Sequence, residues 1–428
     1  MRTPVERAVL VGAPQGELAT RLIEEHLEEL ARLTATAGGE VVGTLTQRIS
    51  KPNRRFYVGR GKADELKSLV SEREGELVIF DEELSPAQGK NLEELLDVRV
   101  MDRSELILDI FATRARSKEA RMQVELAQLE YLLPRLRRMW SHLSRIRGGI
   151  GLRGPGETQL ETDRRLIGKR IVDLKGKLRQ VAKAREMQRK SRAGSFRAAL
   201  VGYTNAGKSS LLRALSGADL LIEDRLFATL DSATRKVELG AGHEALLTDT
   251  VGFIRKLPHH LVASFRSTLE EAREGDVLLH VIDASHADWE EQRQVVNDVL
   301  ADLDLTNSDK ILVFNKVDRI THAEEEVLRA RIRVLEATPA VFVSAHDDAT
   351  LGALQKTLIA RLRARLEEVV VRVPVQDGQA IAAIYREAEI IDRADEDTGV
   401  LLTARIPAPL LGRLRSREGV QVEPVAAS

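Results

Sequence analysis

The stretch that decides the fold is Ala198-Ala199-Leu200-Val201-Gly202-Tyr203-Thr204-Asn205-Ala206-Gly207-Lys208-Ser209. Its first four residues are apolar, as in a buried parallel strand. The next eight match G-x-x-x-x-G-K-[ST], the pattern of a P-loop. Glycines there allow backbone N–H groups to surround phosphates, which then lie at a helix N-terminus. The stretch therefore predicts an α/β P-loop domain that binds a nucleotide.

Within this loop, Lys208 is expected to reach the terminal phosphates and to act in catalysis. The hydroxyl of Ser209 is expected to bind Mg²⁺. The residues that we assign to nucleotide contact are Gly202, Tyr203, Thr204, Asn205, Ala206, Gly207, Lys208, Ser209 and Ser210.

Two segments downstream are typical of the magnesium and γ-phosphate contacts of P-loop enzymes. Asp249-Thr250-Val251-Gly252 follows the apolar run 245–248, so Asp249 is expected at Mg²⁺ and the Gly252 N–H at the γ-phosphate, with a catalytic role. The segment 226–235 is the expected first switch. Thr229 is our first candidate there for a magnesium ligand and catalytic group, and Thr234 is the second. Phe227 and Ala228 are assigned to nucleotide contact.

The identity of the bound nucleobase is predicted from Asn315-Lys316-Val317-Asp318, which follows the apolar run 311–314. The Asp318 carboxylate can accept hydrogen bonds from N1–H and the 2-amino group of guanine, and a site built on such bonds rejects adenine. Asn315 is expected to support the loop, and the Lys316 stem to pack on the base. The following segment Ser344-Ala345-His346 is expected to close over guanine. The predicted ligands are therefore GTP and GDP.

The residue after Gly252 is Phe253, where Ras-like enzymes place a glutamine that orients water. A phenyl ring cannot do this, so we expect hydrolysis by the active site alone to be slow, with a partner or the remaining switch supplying the geometry. Arg225, Arg235 and Arg255 could act as arginine fingers, but surface arginines are the favoured interpretation. Asn205 resembles the residue that binds a cation in potassium-activated GTPases, so K⁺ is a second candidate cofactor beside Mg²⁺.

Charge is distributed unevenly along the chain. Residues 135–192 hold 18 Lys/Arg and 5 Asp/Glu, a balance of +13, whereas the whole chain has a net charge of −1. Apolar residues recur at helical spacing on both sides of the glycine-rich segment 148–156, which predicts a helical hairpin. Pro134 is expected to kink or split its first helix. The charge favours a polyanionic partner and an ordinary solvated helix face about equally.

The rest of the chain predicts further domains. Residues 1–103 alternate strands and helices, typical of a parallel α/β domain, and Gly59-Arg60-Gly61-Lys62 is interpreted as an ordinary turn rather than a phosphate loop. The predicted organisation is an N-terminal α/β domain (1–103), a basic helical hairpin (104–192), a P-loop domain (196–365) and a small C-terminal α+β domain (366–428).

The composition of the chain excludes several kinds of bond and site. The chain of 428 residues has no cysteine, which excludes disulfides and thiolate metal sites. No run of about 18 apolar residues occurs, so no membrane span is expected. We expect a cytoplasmic monomer.

These motifs resemble the HflX family of translational GTPases. The segment 153–165 (Arg-Gly-Pro-Gly-Glu-Thr-Gln-Leu-Glu-Thr-Asp-Arg-Arg) carries the resemblance most specifically, and residues 58–62, 84–88, 227–231 and 249–254 extend it over nearly the whole chain. The resemblance implies binding to the large ribosomal subunit and its rRNA, GTP hydrolysis in response, and the splitting or rescue of stalled ribosomes. Residues 231–234 depart from the family's usual Asp-Pro-Thr, and the stretch after Ala345 lacks its usual glycine.

Residues and charge alone indicate a GTPase with an RNA-like partner. A ribosome-assembly GTPase is one alternative to a rescue factor. Another is an RNA-binding adaptor that uses GTP only as a structural ligand.

Overall fold

The structure is a computed structural model. It describes residues 5–16, 20–139, 156–190, 195–217, 226–240, 243–257, 271–335, 337–396 and 398–425. The glycine-rich segment lies outside these residues, except for Gly156, and so does Arg225.

The N-terminal α/β domain is built on a four-stranded parallel sheet in the order β2-β1-β3-β4. Its strands and helices are β1 (Arg7–Gly12), α1 (Thr20–Ala37), β2 (Glu40–Thr46), α2 (Arg60–Glu72), β3 (Leu77–Phe80), α3 (Pro86–Leu96) and β4 (Arg99–Asp102). The residues of β3 are all buried, as expected for a strand covered on both faces. Ser85 and Gln88 form a capping box at the start of α3, and Pro86 fills its first position.

The interpretation of Gly59-Arg60-Gly61-Lys62 as a turn is wrong. Gly59 is the N-cap of α2, and the other three residues form its first helical turn. The two glycines have low helix propensity, which is the reason for interpreting the segment as a turn.

Three helices follow the N-terminal sheet: α4 (Arg103–Arg114), α5 (Lys118–Met139) and α6 (Gly156–Lys190). The two predicted apolar stripes pack together, with Leu126, Ile171 and Leu174 at the centre of one cluster. An ion pair joins Arg170 Nε to Glu125 Oε1 at 2.6 Å. Helix α5 continues through Pro134, so the proline does not split the helix, and the expected alternative, a kink, stays a prediction.

The P-loop domain has a six-stranded sheet in the order β10-β9-β8-β5-β7-β6, in which only the β6–β7 pair is antiparallel. Its elements are β5 (Arg197–Gly202), α7 (Lys208–Ser216), β6 (Ala233–Gly240), β7 (His243–Asp249), β8 (Val277–Asp283), α8 (Trp289–Asp302), β9 (Lys310–Asn315), a 3₁₀ turn (Val317–Arg319), α9 (His322–Leu335), β10 (Ala340–Phe342) and α10 (Asp348–Arg363). The predicted nucleotide motifs follow β5, β7, β9 and β10. The carboxyl ends of parallel strands meet at one edge, so this order gathers the motifs.

The C-terminal domain is a four-stranded antiparallel sheet in the order β12-β13-β11-β14. Its elements are β11 (Leu366–Pro374), α11 (Gly378–Glu387), β12 (Glu389–Glu396), β13 (Gly399–Pro407), α12 (Ala408–Arg415) and β14 (Gln421–Pro424). The apolar side chains of β11 and β13 that point towards the helices form its core, with Val371, Leu402 and Leu411 among them.

Contacts divide the chain into two compact units. Unit 1 comprises Met1–Lys183, Glu223–Asp231 and Val251–Leu269, and unit 2 comprises the remaining residues. The predicted fold class, a P-loop α/β domain with an N-terminal α/β domain, a helical pair and a small C-terminal α+β domain, is confirmed. The domain boundaries stay a prediction. Among the described residues, no helix is long and apolar enough to cross a membrane.

Candidate nucleotide-binding site

The phosphate loop connects β5 to α7 in unit 2, and its glycines are required by geometry. Gly207 has φ +93°, and a Cβ there would lie 2.2 Å from Asn315 Nδ2. A Cβ on Gly202, at φ +153°, would lie 2.3 Å from the Val281 carbonyl oxygen. Any larger residue would therefore displace the loop from β8 and β9. Asn205 also has a positive φ, +60°, which asparagine tolerates better than most residues.

Lys208 is buried within the loop that it serves. Its Nζ donates hydrogen bonds to the carbonyl oxygens of Gly202 and Tyr203, at 3.1 and 2.9 Å. Burial lowers the pKa of Lys208 to about 8, and the negative charge of Asp249 opposes this shift. A triphosphate would add negative charge beside the ammonium group and favour its protonated form.

The two predicted magnesium ligands of unit 2 lie together. Ser209 Oγ donates to Asp249 Oδ2 at 2.6 Å, and Asp249 is buried at the end of β7. A hydroxyl and a carboxylate fit Mg²⁺, which prefers oxygen ligands and takes few from the protein beside nucleotide phosphates. Next to them, Thr250 Oγ1 donates to the Leu200 carbonyl at 2.7 Å and fixes β7 to β5.

The base-binding loops are tied to the phosphate loop through Asn315. Its Nδ2 donates to the Ala206 carbonyl at 2.9 Å, and its Oδ1 accepts from the Ala345 N–H at 3.1 Å. One buried side chain therefore links three predicted parts of the site, as expected for a supporting residue. Ser210 lies in the first turn of α7.

Asp318 is held in place by the next loop. Ser344 Oγ donates to Asp318 Oδ1 at 2.5 Å, and the His346 N–H donates to the same Ser344 hydroxyl at 3.1 Å. The Ser344 N–H in turn donates to Thr350 Oγ1 at 2.8 Å. These bonds orient a carboxylate that can accept the two donors of a guanine edge.

Sequence reasoning missed two residues of this region. Asp283 Oδ2 lies 2.6 Å from Lys316 Nζ, and both side chains are 13% exposed. This ion pair holds the lysine stem whose packing on the base was predicted. Asp283 ends β8, next to β5 and β9, so its position at the carboxyl edge of the sheet was an available signal. Thr350 carried none, because an isolated threonine in a helix N-terminal turn is common.

The predicted first switch is divided between the two units, with residues 226–231 in unit 1 and residues 232–235 in unit 2. The Phe227 ring is buried against Phe111 of α4, with ring centroids 4.6 Å apart in an edge-to-face arrangement. Asp231 accepts hydrogen bonds from the N–H groups of Arg116 and Ser117. Ala228 is exposed and Thr229 half-buried, and their contact with nucleotide or Mg²⁺ stays a prediction. Thr234, the second candidate ligand, bonds with Thr248 Oγ1 at 2.9 Å between β6 and β7.

The segment that begins at Val251 belongs to unit 1, with Gly252 and Phe253 both buried. Arg255 Nη2 lies 2.7 Å from Glu29 Oε2, so the expectation of an exposed surface arginine is wrong at this position. Arg235 is exposed, as expected. The exposed side chain of Lys256 reaches Asp81 Oδ2 at 2.5 Å.

A buried arginine completes this charged cluster. Arg103 is 1% exposed and bonds to Glu29 and Asp81 at 2.8 and 2.7 Å. Burial raises the pKa of the neighbouring Glu82, and Lys256 opposes the rise. Glu29 and Arg255 are separated by 226 residues, so no local sequence signal could have paired them.

Comparisons with known proteins agree with this geometry. Family models described as "GTP-binding GTPase N-terminal", "GTP-binding GTPase Middle Region" and "50S ribosome-binding GTPase" match residues 24–112, 114–192 and 197–316. The chain is similar to the GTPase HflX of Caldanaerobacter subterraneus subsp. tengcongensis, at 44% identity over 96% of this chain and 93% of the relative. It is also similar to the GTPase HflX of Escherichia coli K12, at 43% identity over 93% and 94%.

A crystal structure of SsGBP with GDP covers 84% of this chain and 98% of its own, at 26% identity and a TM-score of 0.46. The family predicted from the motifs is confirmed by the sequence relatives, and its membership implies nucleotide-dependent Mg²⁺. A purely structural role for GTP is thereby set aside. This chain, which gathers its phosphate and guanine motifs at one edge of a sheet, belongs to the HflX family of GTPases and hydrolyses GTP.

Proposed function

We propose that this protein binds the large ribosomal subunit through its basic helices, hydrolyses GTP in response, and splits stalled ribosomes. The observation that carries the proposal is a face of α6 formed by Arg165, Lys169, Arg179 and Lys183, here called the cationic face. All four side chains are exposed.

The cationic face lies opposite the buried side of α6. At 100° per residue its four members fall within about 80° of one another, whereas Leu174 points about 180° and Ile171 about 120° away from the centre of the face. The face extends for about 27 Å along the helix. None of the four has a carboxylate partner among the residues that the structure describes. Arg170 and Lys175, by contrast, pair with Glu125 and Glu130.

Unpaired cations along a helix suit the phosphate backbone of RNA. Each phosphate contact displaces counterions, so binding should weaken steeply as salt rises. The description of the matching family model, a 50S ribosome-binding GTPase, supports the large subunit as the source of that RNA.

The residues of the catalytic site explain why GTP hydrolysis would depend on binding to the ribosome. Phe253 is 2% exposed and replaces the glutamine that would orient water, so a bound partner has to complete the site. Lys208 would neutralise charge that develops on the transferred phosphoryl group, and Thr229 and Gly252 would contribute their hydroxyl and N–H. Mg²⁺, held by Ser209, Asp249 and Thr229, would supply electrostatic stabilisation of the phosphates.

The glycine-rich segment 148–156 would act in splitting rather than in hydrolysis. Its low bulk suits a narrow RNA crevice, and Arg145, Arg147 and Arg153 can pair with phosphates or stack on bases. Replacement of residues 148–156 by a short Ser-rich linker should leave intrinsic GTPase activity unchanged and impair splitting of 70S ribosomes. Wild-type splitting at physiological salt would reduce the segment to a connector.

Cosedimentation with purified subunits tests the binding step. We expect the protein to pellet with the large subunit in the presence of a non-hydrolysable GTP analogue and to be released with GDP. A variant with all four cationic-face residues changed to Gln should lose most of this binding. Preference for precursor over mature subunits would favour the alternative, a ribosome-assembly GTPase.

A ribosomal role also places the protein in the cytoplasm, and we propose that it acts there as a monomer.

Potassium is a further part of the proposal. Asn205 is exposed at the phosphate loop in a left-handed conformation, where its side-chain oxygen could help hold a monovalent cation beside the phosphates. Hydrolysis should then be faster in KCl than in NaCl at equal ionic strength. Equal rates would leave Asn205 a loop-shaping residue.

A further inference from the structure

Residues 47–62 comprise the connection between β2 and α2 and the first turn of α2, and they form a basic segment of the N-terminal α/β domain that the nucleotide site does not use. It holds Arg48, Lys51, Arg54, Arg55, Arg60 and Lys62 and no acidic residue. We call residues 51–55 the basic loop.

Hydrogen bonds fix the backbone of the basic loop. Asn53 and Tyr57 exchange backbone bonds of 2.7 and 3.0 Å. Asn53 Oδ1 accepts from the N–H groups of Arg55 and Phe56, at 2.8 and 3.3 Å. Helix α3 adds two anchors, because Gln88 donates to the Asn53 carbonyl at 2.7 Å and Asn91 to the Arg55 carbonyl at 2.9 Å. The loop is therefore held by its own turn and by a neighbouring helix.

The three residues that follow the basic loop are buried, and one of them has a strained backbone conformation. The side chains of Phe56, Tyr57 and Val58 are buried under the loop. Tyr57 has φ +67°, a conformation that an aromatic residue adopts only when its surroundings impose it, and such strain concentrates at functional positions. A connection that served only to join β2 to α2 would not need this strained, anchored turn.

The cations that the turn presents are not used within the domain. Lys51, Arg54 and Arg55 are exposed, and none has a carboxylate partner within the part of the chain that the structure describes. At the start of α2 the situation differs, because Arg60 pairs with Asp64 and Lys62 with Glu65. The Arg55 guanidinium lies over the Phe56 ring, 5.0 Å from its centroid, which restricts its orientation.

We propose that Lys51, Arg54 and Arg55 form a second contact with the RNA backbone of the large ribosomal subunit, separate from the cationic face of α6. This inference rests on the proposed function. Pre-oriented guanidinium groups match phosphate oxygens in paired geometry. A fixed backbone also lowers the conformational entropy lost on binding. RNA is favoured over an acidic protein surface because α6, in the same unit, presents the same kind of unpaired cations.

The test compares two triple variants with the same loss of charge. The first is Lys51→Gln/Arg54→Gln/Arg55→Gln. The second, a matched control, is Arg32→Gln/Lys67→Gln/Arg73→Gln, which removes three exposed cations elsewhere in the same domain. Thermal unfolding and intrinsic GTP turnover of both variants should equal those of the wild type. Affinity for large subunits and for protein-free large-subunit rRNA is then measured from 50 to about 200 mM KCl, a range in which phosphate contacts change affinity strongly.

We expect the basic-loop variant to bind both ligands more weakly. The slope of log affinity against log salt should become shallower by about 2 to 3, as for the loss of three phosphate contacts, while the control keeps the wild-type slope. Equal slopes for the two variants would overturn the inference. A loss seen with subunits but not with rRNA would also overturn it and assign the loop to a ribosomal protein. The cationic-face variant serves to separate failure of this inference from failure of the proposed function. If the wild type and all variants bind subunits equally poorly, the proposed function itself fails.

Discussion

Two glycine-rich segments of this chain lead from a parallel strand into a helix and carry a Gly-Lys or Gly-x-Gly-Lys sequence, yet they have different roles. At the start of α7, Gly207 has φ +93° and Lys208 is 6% exposed, bonded to loop carbonyls. At the start of α2, Gly59 has φ −65° and Lys62 pairs with Glu65 on the surface. A phosphate loop is thus distinguished by glycines whose conformation and close contacts disfavour a side chain, and by a lysine turned into the loop.

The strongest test of this difference removes each lysine. Lys208→Ala should reduce GTP turnover by at least about a hundredfold, because it deletes a charge aimed at the transferred phosphoryl group. Lys62→Ala should leave turnover within about twofold, since an exposed i,i+3 ion pair contributes little. Phosphate release under saturating GTP, with circular dichroism to verify folding, gives both numbers. Similar rates for the two variants would contradict the assignment of the phosphate loop.

The guanine contact extends the comparison, because Asp318, held by Ser344, belongs to the same sheet edge as the phosphate loop. Asp318→Asn reverses one hydrogen-bond polarity, so GTP binding should weaken by about 2–3 kcal/mol, and xanthosine triphosphate should become the preferred ligand. Competition binding with both nucleotides measures the switch. Retention of the wild-type preference for GTP would show that another residue selects the base.

Proton linkage to GTP binding should appear at Lys208. Lys208 has a pKa of about 8, and a bound triphosphate favours its charged form. Below pH 8 the free protein already carries that charge. Above pH 8 it must take up a proton to bind, so GTP affinity should fall by up to about tenfold per pH unit. Titrations of the protein with GTP at several pH values between 7 and 9 measure this affinity, with Lys208→Gln as the control. An equal fall in the control would assign the effect to another group.

The smallest expected effects come from the glycines. A Cβ at Gly61 meets no atom within 4 Å, so Gly61→Ala should raise the free energy of unfolding by about 0.5–1 kcal/mol. Gly207→Ala should lower it by about 1–2 kcal/mol, since alanine disfavours the left-handed region, and should disturb Asn315. Denaturant unfolding of the two variants compares them. Changes of the same sign would mean that the two helix starts are built alike.

The sequence predicted which loops lie together at one edge of the P-loop sheet, because the signals for these loops are local. Their contact with a nucleotide stays a prediction. P-loop, base loop and closing loop each follow a recognisable strand, and parallel strands bring such loops together. The sequence could not predict the partners of Phe227, Arg255 and Lys256, which contact residues far away in the chain. It also misjudged local propensity. Gly59 and Gly61 suggested a turn, and Pro134 a break, but tertiary packing stabilises helix at both places.

The central proposal for this protein is that a buried Phe253 leaves GTP hydrolysis dependent on the ribosome. The direct measurement is the initial rate of phosphate release from GTP at increasing concentrations of purified large subunits. We expect a slow basal rate that rises to saturation with subunits, and a weaker response when the cationic face of α6 is neutralised. A rate that stays at its basal value at every subunit concentration would contradict the account.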